Sequence, residues 1–226
     1  MTLGEFEVEE ELLGDLKIVQ DTRYYRFTSD SVLLSKFARA KANDRVADFC
    51  SGSGIVAFHF YALNRHLSFR GFTLFEMQQT LANLSKKTIE RNGFSPLFDV
   101  ENCRLQEIDK RYEGQFSLIL CNPPYERGGF DNECYEKAVC RKEITITLSE
   151  IASRAAFALK YGGRIALVHR ADRLAELCYT FKSVGIEIKK IQFVSGKEGE
   201  TPYLVLVEGV KGGKPCSQIL PTLVNG

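Results

Sequence analysis

Asn122-Pro123-Pro124-Tyr125, which closes the apolar run Leu118-Ile119-Leu120-Cys121, is the stretch of this sequence best equipped for chemistry. Two successive prolines stiffen the backbone. The Asn122 side-chain oxygen and the Pro123 carbonyl can therefore be aimed at one point with little entropy left to lose. Both accept hydrogen bonds, and an exocyclic NH2 has two hydrogens to give. The Tyr125 ring suits stacking on a flipped-out base or another planar, amide-like group. The plainer reading is a strand-ending turn with an exposed tyrosine, and only context separates the two.

A short apolar run bounded by turn signals suits a strand buried on both faces of a parallel sheet. Prolines cannot continue such a strand, so the chain leaves the sheet at Asn122, where open α/β sheets bind ligands. Upstream, Arg45-Val46-Ala47-Asp48-Phe49-Cys50 reads as a strand, Ser51-Gly52-Ser53-Gly54 as a glycine turn, and residues 55–61 as a helix. Gly52 and Gly54 let backbone pass close to a ligand. Position 57 is Ala, which departs from the dinucleotide fingerprint, and Asp48 and Cys50 lead the turn. A leading carboxylate suits the ammonium end of a methionine-type ligand better than a pyrophosphate. A second strand over 69–75 ends at Glu76, placed to accept from both hydroxyls of a ribose, with Met77 able to pack on an adenine.

The remaining pattern supplies the scaffold. Residues 78–92 form a helix stopped by Asn92-Gly93, and 98–102 a third strand with Cys103-Arg104 at its end. Thr28, Ser29 or Asp30 caps a helix with an apolar face at 33, 34, 37 and 38. Its N-terminus either serves as a cap alone or lies over the site, contacting the cofactor's amino-acid end or closing a lid. Arg141 and Lys142 either grip substrate phosphate or are solvated helix-flank charges. A helix starting near 148 and running to 160, a fifth strand over 164–169, a helix over 172–184 and strands over 187–194 and 203–207 follow. The domain expectation is one unit over 1–226: an extension with capping helix (1–40), a core (41–210) and a flexible tail (211–226). The acidic residues up to Glu11 are expected to be loosely held.

Asn-Pro-Pro-Tyr, the Asp48-to-Gly54 turn and Glu76, in this order and spacing, resemble the class I, Rossmann-like amino methyltransferases that use S-adenosyl-L-methionine (SAM). The resemblance spans most of the chain. It implies a seven-stranded, mostly parallel sheet with an antiparallel last strand and helices on both faces. It implies a cofactor site of Thr28, Asp30, Asp48, Cys50, Gly52, Gly54, Glu76, Met77, Cys103 and Asn122, the adenine contact near Cys103 being a backbone one. It further implies catalysis at Asn122, Pro123, Pro124 and Tyr125, with Tyr125, Arg141 and Lys142 on the substrate. Gln20-Asp21, Phe27-Thr28-Ser29-Asp30-Ser31-Val32-Leu33-Leu34, Arg141-Lys142-Glu143 and Val168-His169-Arg170 are similar to the tRNA1(Val) (adenine(37)-N6)-methyltransferase family, which implies a tRNA partner. That family tends to have Arg-His-Glu where this chain has Arg141-Lys142-Glu143, and usually extends a little further at its end. Methylation of ribosomal RNA guanine N2, DNA adenine N6 or protein glutamine N5 would share the tetrapeptide. A nucleotide-binding dehydrogenase and a non-catalytic SAM-binding module are the alternatives from other classes.

Composition narrows the setting. A net charge of +1 announces no polyanion partner by itself. The seven cysteines are scattered without a Cys-x-x-Cys pair, which reads as reduced thiols in a cytoplasmic protein. The three histidines lack metal-site spacing, so no metal is expected. No run is long enough for a membrane span, and the start lacks an export signal. Oligomeric state is left open, with a monomer the working expectation.

Overall fold

The computed structural model describes residues 3–23, 29–124 and 146–225. An antiparallel hairpin of β1 (Glu7–Leu13) and β2 (Leu16–Asp21) precedes α1 (Ser29–Phe37). Alternating strands and helices follow: β3 (Arg45–Phe49), α2 (Ile55–Leu63), β4 (Gly71–Phe75), α3 (Gln79–Arg91), β5 (Phe98–Glu101) and β6 (Phe116–Cys121). Then come α4 (Leu148–Ala158), β7 (Leu159–Arg170), α5 (Leu174–Ser183), β8 (Ile186–Ser195), β9 (Leu204–Lys211) and β10 (Gln218–Val224). β3 to β10 form one sheet in the order β10-β8-β9-β7-β6-β3-β4-β5. Neighbours from β5 to β7 pair in parallel, whereas β9 runs antiparallel to both β7 and β8.

The alternation of strand side chains explains the layers. Ala47 and Phe49 of β3 and Ile119 and Cys121 of β6 join one buried cluster with Ile151 and Ala155 of α4 and Leu177 and Phe181 of α5. Val46, Leu118 and Leu120 join the opposite cluster with Leu34, Ile55, Phe58, Ala82 and Ile89 of the first three helices. Strands covered on both faces carry apolar side chains in succession: all six residues of β6 are buried, and all but Ser117 are apolar. α4 starts with a capping box: Thr147 Oγ1 accepts from Glu150 N, and Glu150 Oε2 accepts from Thr147 N at 2.8 Å.

Two expectations at the chain ends are corrected. The acidic opening is strand β1, because alternation sends Glu7 and Glu9 to the same side, where Lys87 (2.6 Å), Lys17 (2.8 Å) and Arg91 (3.5 Å) meet them. The tail carries β10, which pairs in parallel with β8 as an eighth strand beyond the antiparallel β9. Ser217 Oγ donates to the Ile188 carbonyl at 2.6 Å and Lys189 Nζ to that of Lys214 at 3.0 Å, pinning the approach to β10. Among the described residues no helix is long and apolar enough to cross a membrane.

Candidate active site

The sheet order places the carboxyl ends of β6, β3, β4 and β5 side by side, and the expected site residues sit there. Phe49 of β3 pairs with Cys121 of β6 on one side and Phe75 of β4 on the other. Asp48, Glu76, the residues after Glu101, and Asn122 therefore come from four adjacent strand tips.

Asp48 shares its face with Val46 and so turns toward α2. Its Oδ2 accepts from the Ala57 N–H at 3.1 Å, in the first turn of α2. That helix begins at Gly54, which has no side chain to cap it, so Asp48 satisfies one of the orphan donors. Its other oxygen, Oδ1, is buried and finds no hydrogen-bond partner among the described residues. Burial, first, and the nearby Glu76 carboxylate push its pKa up to about 8, against the opposing Ala57 hydrogen bond. A half-satisfied buried carboxyl is costly unless a cation or donor arrives. Ser51 Oγ is likewise buried and without a partner among the described residues.

The turn between β3 and α2 needs positive φ at three alternate positions: Cys50 (φ 57), Gly52 (φ 57) and Gly54 (φ 83). At Gly54 an added Cβ would lie 2.5 Å from Phe58 Cε2 and 2.7 Å from Leu74 Cδ2, so that glycine is needed for packing. At Gly52 it would meet nothing within 4 Å among the described residues, so that glycine lines open space. Glu76 Oε2 accepts from the Gly52 N–H at 2.8 Å, and Oε1 from Gln78 N at 2.7 Å. Burial raises the Glu76 pKa against these backbone hydrogen bonds. Asn102 Nδ2 donates to the carbonyls of Glu76 (2.8 Å) and Met77 (3.2 Å), locking the tip of β4 to the loop after β5.

Asn122 lies just past β6, and its Nδ2 donates to Ser31 Oγ of α1 at 3.0 Å. Pro123 is buried and Pro124 half-buried. Cys121, fully buried, has its thiol pKa raised well above the usual value by burial and by contact with the Cys50 thiol. Met77 and Cys103 are half-buried, Cys103 with its pKa raised by burial and then by Glu101 and Glu107. Asp30 is in the first turn of α1, where it accepts from Ser29 Oγ at 3.2 Å. Thr28, Tyr125, Arg141 and Lys142 lie outside the described residues. No group of three or more His, Cys, Asp or Glu that could hold a metal ion occurs among the described residues.

The structure thus brings together Asp48, Cys50, Gly52, Gly54, Glu76, Met77, Cys103 and Asn122. The sequence by itself gives no site role to Ser31, Asn102, Ser51 or Ser85; the Ser85 Oγ donates to the Gly52 carbonyl at 3.3 Å. Small polar residues carry no periodic or charge signal, and only their partners across the fold reveal them.

A doubly covered, mostly parallel sheet with a glycine turn and an acidic second strand tip is the fold of class I methyltransferases. Solved structures agree: the chain superposes on a predicted O-methyltransferase, protein Atu636 of Agrobacterium tumefaciens, with a TM-score of 0.67 at 19% identity, covering 86% of each chain. It superposes on P. horikoshii TYW2, solved in complex with MeSAdo, with a TM-score of 0.65 at 13% identity, covering 93% of this chain and 73% of that one. The methyltransferase small domain model matches residues 28–193, and the chain belongs to that family. It is 22% identical over 180 residues to a tRNA1(Val) (adenine(37)-N6)-methyltransferase of Shewanella sediminis, covering 78% of this chain and 72% of that protein.

Proposed function

We propose that this methyltransferase transfers a methyl group from SAM to the N6 amino group of an adenine in tRNA, with tRNA1(Val) position 37 as the target. The observation that carries the reading is Asn122, set at a strand tip beside the glycine turn with its amide nitrogen already committed to Ser31. The curated relative named above acts, by its name, on that tRNA.

The residues present fit SAM. Asp48 Oδ1 and Ser51 Oγ are buried groups that lack partners among the described residues, and Gly52 opens a space that any side chain would narrow. Asp48 would take the ammonium group, Glu76 the ribose hydroxyls through the second lone pairs of its oxygens, and Met77 the adenine face. Asp30, in the first turn of α1, is assigned to the amino-acid end and Cys103 to the adenine edge. The cofactor supplies an electrophilic methyl on a sulfonium.

The protein's part is orientation. An exocyclic NH2 donates its lone pair into the ring and is a poor nucleophile. The Asn122 oxygen and Pro123 carbonyl accept its two hydrogens and turn the lone pair toward the methyl. Pro124 holds the turn, Tyr125 stacks on the base, and Arg141 and Lys142 meet phosphate. A tRNA bound by so nearly neutral a protein is held in a salt-sensitive way.

The test incubates the purified protein with isotopically labelled SAM and unmodified total bacterial tRNA, followed by digestion and mass spectrometry of the nucleosides. Labelled N6-methyladenosine is the expected product. No labelled nucleoside, with SAM binding established by calorimetry, would overturn the tRNA reading.

A further inference from the structure

We infer that Ser31 is a positioning residue for the Asn122 carboxamide: its hydroxyl holds the amide nitrogen so that the amide oxygen faces the substrate amine. The inference rests on the amino-methyl-transfer reading and extends it to a residue 91 positions away on another element.

A primary amide is planar, with an acceptor prong and a donor prong that exchange places on a half turn about the terminal bond. Only the acceptor prong helps an NH2 substrate; the donor prong faces it with like hydrogens. Something must therefore break the symmetry. Asn122 Nδ2 donates to Ser31 Oγ at 3.0 Å, and Ser31 is 3% exposed, so water competes poorly for that hydroxyl. With the nitrogen committed to α1, the oxygen occupies the opposite prong. Ser31 stands in the first turn of α1, a helix fixed independently by Leu34, buried in the core, and by Ser35, whose Oγ is 2.6 Å from His59 Nδ1 of α2. α1 is thus a rigid mount and Ser31 the contact it delivers.

A plain structural staple between α1 and the sheet would show the same hydrogen bond. Ser35→Ala provides the control, since it removes a buried hydrogen bond from the same helix without touching Asn122. Each variant is assayed on whichever amine the wild-type protein methylates, so the measurement does not depend on adenine being the target. Ser31→Ala is expected to lower kcat about fivefold to tenfold, the equivalent of one net hydrogen bond, with the SAM dissociation constant unchanged. Ser31→Thr, which keeps the hydroxyl, restores most of the rate, and Ser35→Ala lowers Tm but leaves kcat alone. In the Asn122→Ala background Ser31→Ala has no further effect on rate. An activity-free readout accompanies these: the side-chain NH2 resonances lost in Asn122→Ala shift in Ser31→Ala and stay in place in Ser35→Ala. Equal loss of kcat in Ser31→Ala and Ser35→Ala overturns the inference in favour of a staple. So does unchanged or raised kcat in Ser31→Ala, a rise being the result if the hydroxyl donated to the amide oxygen and held the wrong prong toward the substrate. A wild-type protein that methylates no amine, while its Asn122 resonances still answer to Ser31, sinks the functional reading and leaves the contact standing.

Discussion

Glu76 accepts the Gly52 N–H at 2.8 Å and so ties the tip of β4 to the turn that follows β3. The same carboxylate takes Gln78 N with its other oxygen, so one side chain sets the shape of two loops before any ligand arrives. Preorganisation of this kind lowers the ordering cost of binding.

Glu76→Ala is expected to release the glycine turn and to remove the acceptors for a ribose at once. Each charge-assisted hydrogen bond is worth about 1.5–3 kcal/mol, so SAM affinity measured by calorimetry should fall at least tenfold. Glu76→Gln, which keeps one acceptor, should fall between wild type and Glu76→Ala. Unchanged affinity in Glu76→Ala would remove Glu76 from the cofactor site.

Much of this was legible in the chain. The β3-turn-α2 segment, the β4 tip and Asn122 could be placed because apolar runs, glycines and prolines report local backbone demands. The two chain ends could not. The acidic run of β1 becomes a strand only when α3 presents Lys87 and Arg91 to Glu7 and Glu9. β10, with Pro221 in its middle and mostly exposed side chains, owes its place to contacts with β8. From the sequence Asp48 reads as a charge for a ligand, whereas half of its bonding capacity serves α2. Asn102 reads from the sequence only as the end of a strand over 98–102; its two hydrogen bonds to carbonyls of the next strand tip depend on the parallel register of β4 and β5.

Gly52 and Gly54 should separate when each is changed to Ala. Both sit at positive φ, but only Gly54 faces Phe58 and Leu74 at distances a Cβ cannot occupy. Gly54→Ala should cost about 2–4 kcal/mol from strain and overpacking together, visible as a lower urea midpoint. Gly52→Ala should cost about 1–2 kcal/mol, the left-handed penalty alone, yet weaken SAM binding more than its stability loss implies. Equal stability losses would contradict the packing argument.

Asp48 should make the ligand-free protein lose stability as pH rises. Its folded pKa, about 8, stands above the ordinary value of 3.8 that the unfolded chain allows. The neutral form is therefore the one the fold tolerates: the group costs nothing below about pH 4, and its penalty grows up to about pH 8, reaching a few kcal/mol. Asp48→Asn does not titrate, so its Tm should match wild type near pH 4 and exceed it at pH 8. At this chain length each kcal/mol moves Tm by roughly 2–4 °C. SAM binding should reverse the preference, since an ammonium beside Oδ1 favours the carboxylate. Affinity of the wild type should rise with pH between 6 and 7.5, with proton release detectable by calorimetry in buffers of different ionisation enthalpy. A flat Tm difference from pH 4 to 8 would refute the assignment.

Asp44 and Arg164 form a buried ion pair at the opposite, amino end of the strands, with Arg164 Nη2 2.7 Å from Asp44 Oδ2 and side-chain exposures of 7% and 5%. Asp44 also accepts from Lys41 N at 2.8 Å and from Ser117 Oγ at 2.7 Å, so it fastens the entry to β3 onto β6 as well as β7. Removing only the cation leaves a buried carboxylate facing two donors and no compensating charge. Arg164→Met should therefore destabilise by about 3–5 kcal/mol. Adding Asp44→Asn should recover part of that loss, because the amide oxygen can still accept from Lys41 N or Ser117 while the stranded charge is gone. A double-mutant cycle by urea denaturation would measure the coupling. SAM affinity at a temperature where every variant is folded should not change, since the cofactor residues gather at the other end of the same strands. Loss of affinity in the folded double variant would mean that the two ends of the sheet are mechanically linked, and additive stability losses would mean that the pair does not act as a unit.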